Sequence, residues 1–177
     1  MIKSIIIQIE LNVQQFENDP IPTRVGKEEI LQFFVSEQDN IRIAEKLFEA
    51  LNAHDLSRGS EYEAADYKFE GPGTNGAQNR DQARAYTRGF LNAFPDLHFE
   101  LKQKAAQGDY VVINWVASGT HTGPLLTPTG ATIPPTGKKG IVPGSTTYQI
   151  KNGKAVAGWT YWDMVTLLAQ LGLMPGM

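Results

Sequence analysis

The stretch GSTTYQIKNGKAVAGWTY, residues 144–161, decides the architecture. Gly144 to Ile150 reads as a strand, Lys151-Asn152-Gly153-Lys154 as a turn and Ala155 to Tyr161 as the returning strand. Asn-Gly between two such runs is the strongest short hairpin signal, because the favoured two-residue turn needs positive φ at both central residues. Working outward, YVVINWVASGT at residues 110–120 reads as a long strand that is apolar on both faces. Tyr110, Val112 and Val116 share one side; Val111, Ile113 and Trp115 share the other. A sheet of this kind must be covered twice. The expected covers are a pocket on the inner face and a second subunit on the outer face. Before it, Leu97, Phe99 and Leu101 alternate with His98 and Glu100, and Gly108-Asp109 makes the turn. Residues 121–143 read as a loop rich in Pro, Thr and Gly, and Met164 to Leu171 as a short closing helix.

Upstream the period changes from two to that of a helix. In residues 40–52, Ile43, Leu47, Phe48 and Leu51 share one face, and Asp39 is a suitable N-cap. A second helix runs from about Arg80 to Ala93, with Tyr86, Phe90 and Phe94 at i, i+4 and i+8, and Pro95 stops it. Between the helices, Tyr67-Lys68-Phe69 is a short strand ended by Gly71-Pro72-Gly73. Helices first and strands afterwards predict an α+β fold, with helices on one face of a curved mixed or antiparallel sheet that encloses an apolar pocket. Residues 1–37 read as an N-terminal extension: a strand within Ser4 to Val13, a polar loop with Pro20 and Pro22, and a short helix from Lys27. Such a strand adds to a sheet edge or reaches a second subunit. The main domain spans residues 38–177.

Composition narrows the function. In 177 residues, 16 Lys+Arg stand against 19 Asp+Glu for a net charge of -3, which lacks the basic footprint of nucleic-acid binding. Cysteine is absent, so disulfides, thiol nucleophiles and Cys-ligated metals are excluded. His54, His98 and His121 are scattered and make a poor metal site. No apolar run approaches the ~20 residues of a membrane span. The expectation is a cytoplasmic homodimer that takes a small-molecule substrate without metal or cofactor.

Several segments, in order, resemble the SnoaL-like polyketide cyclases. They are Ala93-Phe94-Pro95-Asp96-Leu97, Gly108-Asp109-Tyr110-Val111-Val112, Gly119-Thr120-His121-Thr122-Gly123, Pro135-Thr136-Gly137, the Asn152-Gly153-Lys154 turn, and Trp159-Thr160-Tyr161-Trp162-Asp163 with Gln170-Leu171-Gly172. They cover residues 39 to 175. The resemblance implies the cone-shaped fold named after nuclear transport factor 2. It also implies ring closure of a polyketide by intramolecular aldol condensation, with no metal or cofactor and one Asp as acid and base. Asp163 matches that Asp by position. The chain departs from the family pattern at Ala157, where relatives often carry Glu, and at Trp115, where Arg is common.

Each candidate also has a plainer reading. Asp163 shares strand parity with Ala155, Ala157, Trp159 and Tyr161, and a carboxyl facing an apolar pocket would have a raised pKa suited to proton exchange. It also stands where a helix N-cap belongs. His121, the second catalytic candidate, either bonds a ligand or the catalytic carboxyl, or fixes its loop. Trp115, Trp159, Tyr148, Phe69 and Phe90 read as pocket wall, and Glu70 as a pocket-mouth group or a solvated strand-end charge. A non-catalytic binding module is the competing reading. An epoxide hydrolase ranks lower, since its Asp-Arg-Asp set would call for an Arg on the long strand.

Overall fold

The computed structural model describes residues 27–127 and 130–174, with side chains from Ser36 onward. The expected strand within Ser4 to Val13 lies outside the described residues. Helix α1 spans Lys27–Asn52, and a short α2 spans Leu56–Gly59. Strands β1 (Glu63–Glu70) and β2 (Gln78–Asn79) precede α3 (Arg80–Ala93). Then come β3 (His98–Gln107), β4 (Tyr110–Thr120), β5 (Leu125–Leu126), β6 (Thr132–Ile133), β7 (Lys139–Lys151), β8 (Lys154–Trp162) and α4 (Met164–Gln170). Six strands form one mixed sheet in the order β2-β1-β8-β7-β4-β3; β5 and β6 pair separately. Only the β1–β8 pairing is parallel.

The sequence predicts a helix break near Asp39, and the structure corrects it. No Gly or Pro interrupts residues 27–52, so one helix runs through. Asp39 lies inside it, paired with Arg42 one turn on. The helix is locked to the sheet by side chains that satisfy backbone groups. Asn52 accepts from Phe99 N at 2.8 Å and donates to Phe99 O at 2.9 Å, and Asn40 donates to Gly108 O at 3.1 Å. Helix α3 has the bounds expected, and Asn79 and Gln82 close a reciprocal capping box at its start.

The sheet's inner face carries the core. On β4, Val111, Ile113, Trp115 and Ala117 are buried, while Tyr110 and Val112 stay exposed on the outer face. Strict alternation fails on β8, with consequences for the site. Ile150 pairs with Ala155, but the preceding Gln149 pairs with Ala157. One extra residue, Val156, is therefore bulged out, and every later side chain changes face. Gly158, Thr160 and Trp162 point inward; Trp159 and Tyr161 point outward, Tyr161 at 68% exposure. Gly158 leaves room for Tyr67, since a Cβ there would stand 2.2 Å from the phenol oxygen. A second bulge between Leu101 and Gln103 bends β3 toward α1.

The predicted loop at 121–143 is shorter than expected. Strand β7 starts at Lys139 and pairs with β4 along its whole length. No helix among the described residues is long and apolar enough to cross a membrane.

Candidate functional site

Between the inner sheet face, α1 and α3 lies a cavity of about 170 Å³. Its walls are mostly rings. Phe69 meets Tyr86 at 5.3 Å, Tyr86 meets Phe90 at 5.1 Å, and Phe90 meets Trp162 edge-on at 5.7 Å. On the other side Phe99 sits edge-on between Phe48 and Trp115. These contacts follow from the i, i+4 spacing on α3 and the period-two spacing on β1 and β4.

The wall's polar groups are mostly engaged with each other. Trp115 Nε1 donates to Thr146 Oγ1 at 2.9 Å, which also bonds Thr160 Oγ1 at 3.0 Å. Tyr86 OH donates to Pro72 O at 3.1 Å, and burial pushes its phenol up to about 12. Burial likewise raises the phenols of Tyr67 and Tyr148 above the usual tyrosine range, with the Glu63 charge adding to each. Among the described residues, two charged side chains line this cavity, Glu63 at the start of β1 and Arg84 on α3. Arg84 Nη2 donates to Glu63 Oε2 at 3.1 Å, and the pair is mostly buried, with side-chain exposures of 24% for Arg84 and 16% for Glu63. Loss of water raises the Glu63 pKa above its ordinary 4.5; Arg84 opposes that shift and does not cancel it. Arg84 Nε is buried and has no hydrogen-bond partner among the described residues.

A second cavity of about 270 Å³ lies behind the ring wall and shares Tyr86, Phe90, Trp162 and Leu167 with the first. Leu125 and Ile133 of the β5–β6 pair close its far side. Among the described residues, no charged one lines it.

The structure brings Trp115, Tyr148, Phe69 and Phe90 together in the first cavity, as expected. It places four other candidates elsewhere. The β8 bulge turns Trp159 to the outer face. Glu70 is exposed at the end of β1, opposite Trp159. Asp163 is exposed and caps α4: Oδ1 accepts from Thr166 N at 2.8 Å and Oδ2 from Thr166 Oγ1 at 2.6 Å. Those bonds favour the carboxylate and hold its pKa below the usual range, the reverse of what the pocket reading required. His121 is fully buried in its loop, stacked on Phe94 at 5.2 Å. Its Nδ1 accepts from Thr136 N at 3.3 Å, and burial lowers its pKa. Its ring staples the loop and does not line either cavity.

Glu63 and Arg84 are the site residues that sequence reading missed. Glu63 begins the strand that the sequence showed only at Tyr67 to Phe69, and a register shift between Glu63 and Lys68 breaks the alternation that would have pointed to it. Arg84 lies one turn before Thr87, on the cavity face of α3. Nothing local shows that the two meet. Among the described residues no group of three or more His, Asp or Glu is arranged to hold a metal ion.

Comparison with known proteins identifies relatives of the chain and of its fold. The model of the SnoaL-like polyketide cyclase family matches residues 41–171. Among solved structures, the chain is similar to IdmH from Streptomyces antibioticus, provisionally named a polyketide cyclase. The identity is 30%, over 75% of this chain and 98% of that one, with a TM-score of 0.64. It is also similar to AclR from Streptomyces galilaeus, provisionally named a hydroxylase, at 25% identity over 80% and 85% of the two chains, with a TM-score of 0.69. A SnoaL-like protein from Jannaschia Sp. CCS1 shares the fold at 22% identity, over 78% and 95% of the chains, with a TM-score of 0.69. None of the curated proteins matches the chain.

Proposed function

The chain belongs to the SnoaL-like polyketide cyclase family, and from that premise we propose that it is a cofactor-independent acid/base cyclase or isomerase. Its substrate in this reading is an apolar, carbonyl-bearing small molecule of polyketide type. The observation that carries the reading is the ring-walled cavity with a single charged pair in its wall. Aldol-type closure conserves atoms: a proton leaves a carbon beside one carbonyl, and one returns to the alkoxide formed from another. Such chemistry asks the protein for a dry, shaped space and a proton carrier. We read the protein as cytoplasmic. The competing reading, a binding module, keeps the cavity but not the turnover.

An aromatic β-polyketone ester separates the two. The expected result is conversion to a product of unchanged mass, or of that mass less one water, together with a change in the fluorescence of Trp115, which lines the cavity. Binding without any such product, across a panel of chain lengths, would favour the module.

The same proposal includes a homodimer. Val112, Ile141 and Tyr161 are 37%, 49% and 68% exposed on the outer sheet face, spread along three neighbouring strands. A second copy would cover them. Val112→Asp combined with Ile141→Asp should convert a dimer to a folded monomer by light scattering. A wild-type monomer at micromolar concentration would contradict this part.

A further inference from the structure

We propose that Glu63 is the proton-transferring residue of this cavity, and that Arg84, through its guanidinium, holds the substrate oxygen on which negative charge develops. This rests on the acid/base reading above and assigns that role to residues other than Asp163. The grounds are geometric. Among the residues lining the first cavity, Glu63 is the one carboxylate and Arg84 the one guanidinium. Asp163 is exposed with both oxygens committed to Thr166, and His121 is committed to its loop. Glu63 spends one oxygen on Arg84; Oε1 has no hydrogen bond among the described residues and is free to take a proton.

Arg84 is unusual in a second way. A guanidinium has five N–H donors in a fixed plane, and a buried donor left unpaired lowers stability. Arg84 Nε is such a donor. Nε itself has no accessible surface, so a carbonyl oxygen entering the cavity would meet the other N–H groups of this cavity-lining guanidinium, and an enolate oxygen would be held better, because charge strengthens the bond. The ligand class follows: an apolar ketone or β-dicarbonyl with its carbonyl at the Glu63–Arg84 end and its rings against Phe90 and Trp115.

The step balances. The Glu63 carboxylate takes a proton from the carbon beside the carbonyl, breaking that C–H bond. Its electron pair moves to the oxygen held by Arg84. The enolate carbon then bonds to a second carbonyl carbon of the same molecule, and the Glu63 carboxyl returns its proton to the new alkoxide. Burial supports the role by keeping the Glu63 pKa above 4.5. The groups that face it are Arg84 and Arg80 from α3, Tyr67 from β1 and Tyr148 from β7.

The test uses 2-tetralone in D2O as probe, reading hydrogen–deuterium exchange at its α-carbon by NMR and binding by Trp fluorescence. Wild-type protein should accelerate the exchange. Glu63→Gln, which keeps a hydrogen-bond partner for Arg84, should lose it by about 10²–10⁴-fold while still binding the ketone. Arg84→Gln should lose about 10²-fold or more, and Asp163→Asn should match wild type. Circular dichroism and melting temperature establish that each variant is folded. A folded Glu63→Gln protein exchanging at the wild-type rate would overturn the assignment. So would loss confined to Asp163→Asn, or a wild-type protein that does not accelerate exchange. Should exchange depend on Glu63 while no polyketone is cyclised, the assignment stands and the ring-closure reading falls.

Discussion

Phe48→Ala should destabilise the fold by about 3–5 kcal/mol, the range for removing a buried aromatic ring. Phe48 is 2% exposed and sits where α1 meets the sheet. It packs edge-on against Phe99 at 5.6 Å and Tyr148 at 6.3 Å, so the substitution removes two ring contacts along with the buried area. The void cannot refill easily, because Asn52 and Asn40 tie α1 to the backbone of β3 and of the β3–β4 turn. At roughly 2–4 °C per kcal/mol for a chain of this size, the melting temperature should fall by roughly 6–20 °C. Phe48 also lines the first cavity, so the variant should take a bulkier ligand than wild type. A loss below about 1 kcal/mol in reversible denaturation would show that α1 is not seated as described.

Gly123→Ala should cost about 3 kcal/mol, at the upper end for overpacking. Gly123 N donates to Ala93 O at 3.0 Å, which pins the loop after β4 to the end of α3. A Cβ there would stand 1.9 Å from the carbonyl oxygen of Asn92 and 2.9 Å from its carbon. Those are backbone atoms at a helix end, so no rotamer change relieves the clash; the loop must lift. Phe90, on the last turn of α3, and Phe94, its C-cap, both line the cavity, so the loss should extend to ligand affinity. Wild-type stability and wild-type binding in this variant would contradict the close approach of loop and helix.

Some of this was legible in the chain. The Asn-Gly turn forms as read, with φ of 51° at Asn152 and 75° at Gly153, because few other residue pairs accept two positive values. The bounds of helix α3 were read correctly, with Pro95 closing its end; the cap at Asn79 is seen only in the structure. The inner face of β4 followed from alternation alone. The failures have one main cause. Alternation predicts the face of a residue only while the ladder is regular, and the bulge at Val156 has no local mark in Lys154 to Gly158. It moved Trp159 out of the pocket, whereas Trp162 lines it. Asp163 follows Trp162 and was assigned by the same parity. Its competing reading as an N-cap depended only on the next three residues, which is why that reading could be had from sequence. The Glu63–Arg84 pair lies 21 residues apart, on a strand and a helix, and only the folded chain brings it together.

A crystal structure with 2-tetralone or a polyketone bound tests the central claim most directly. The carbonyl oxygen should lie roughly 3 Å from a guanidinium nitrogen of Arg84, with the α-carbon beside Glu63 and the rings between Phe90 and Trp115. A ligand seated against Asp163, or held entirely in the second cavity with Glu63 and Arg84 untouched, would contradict it.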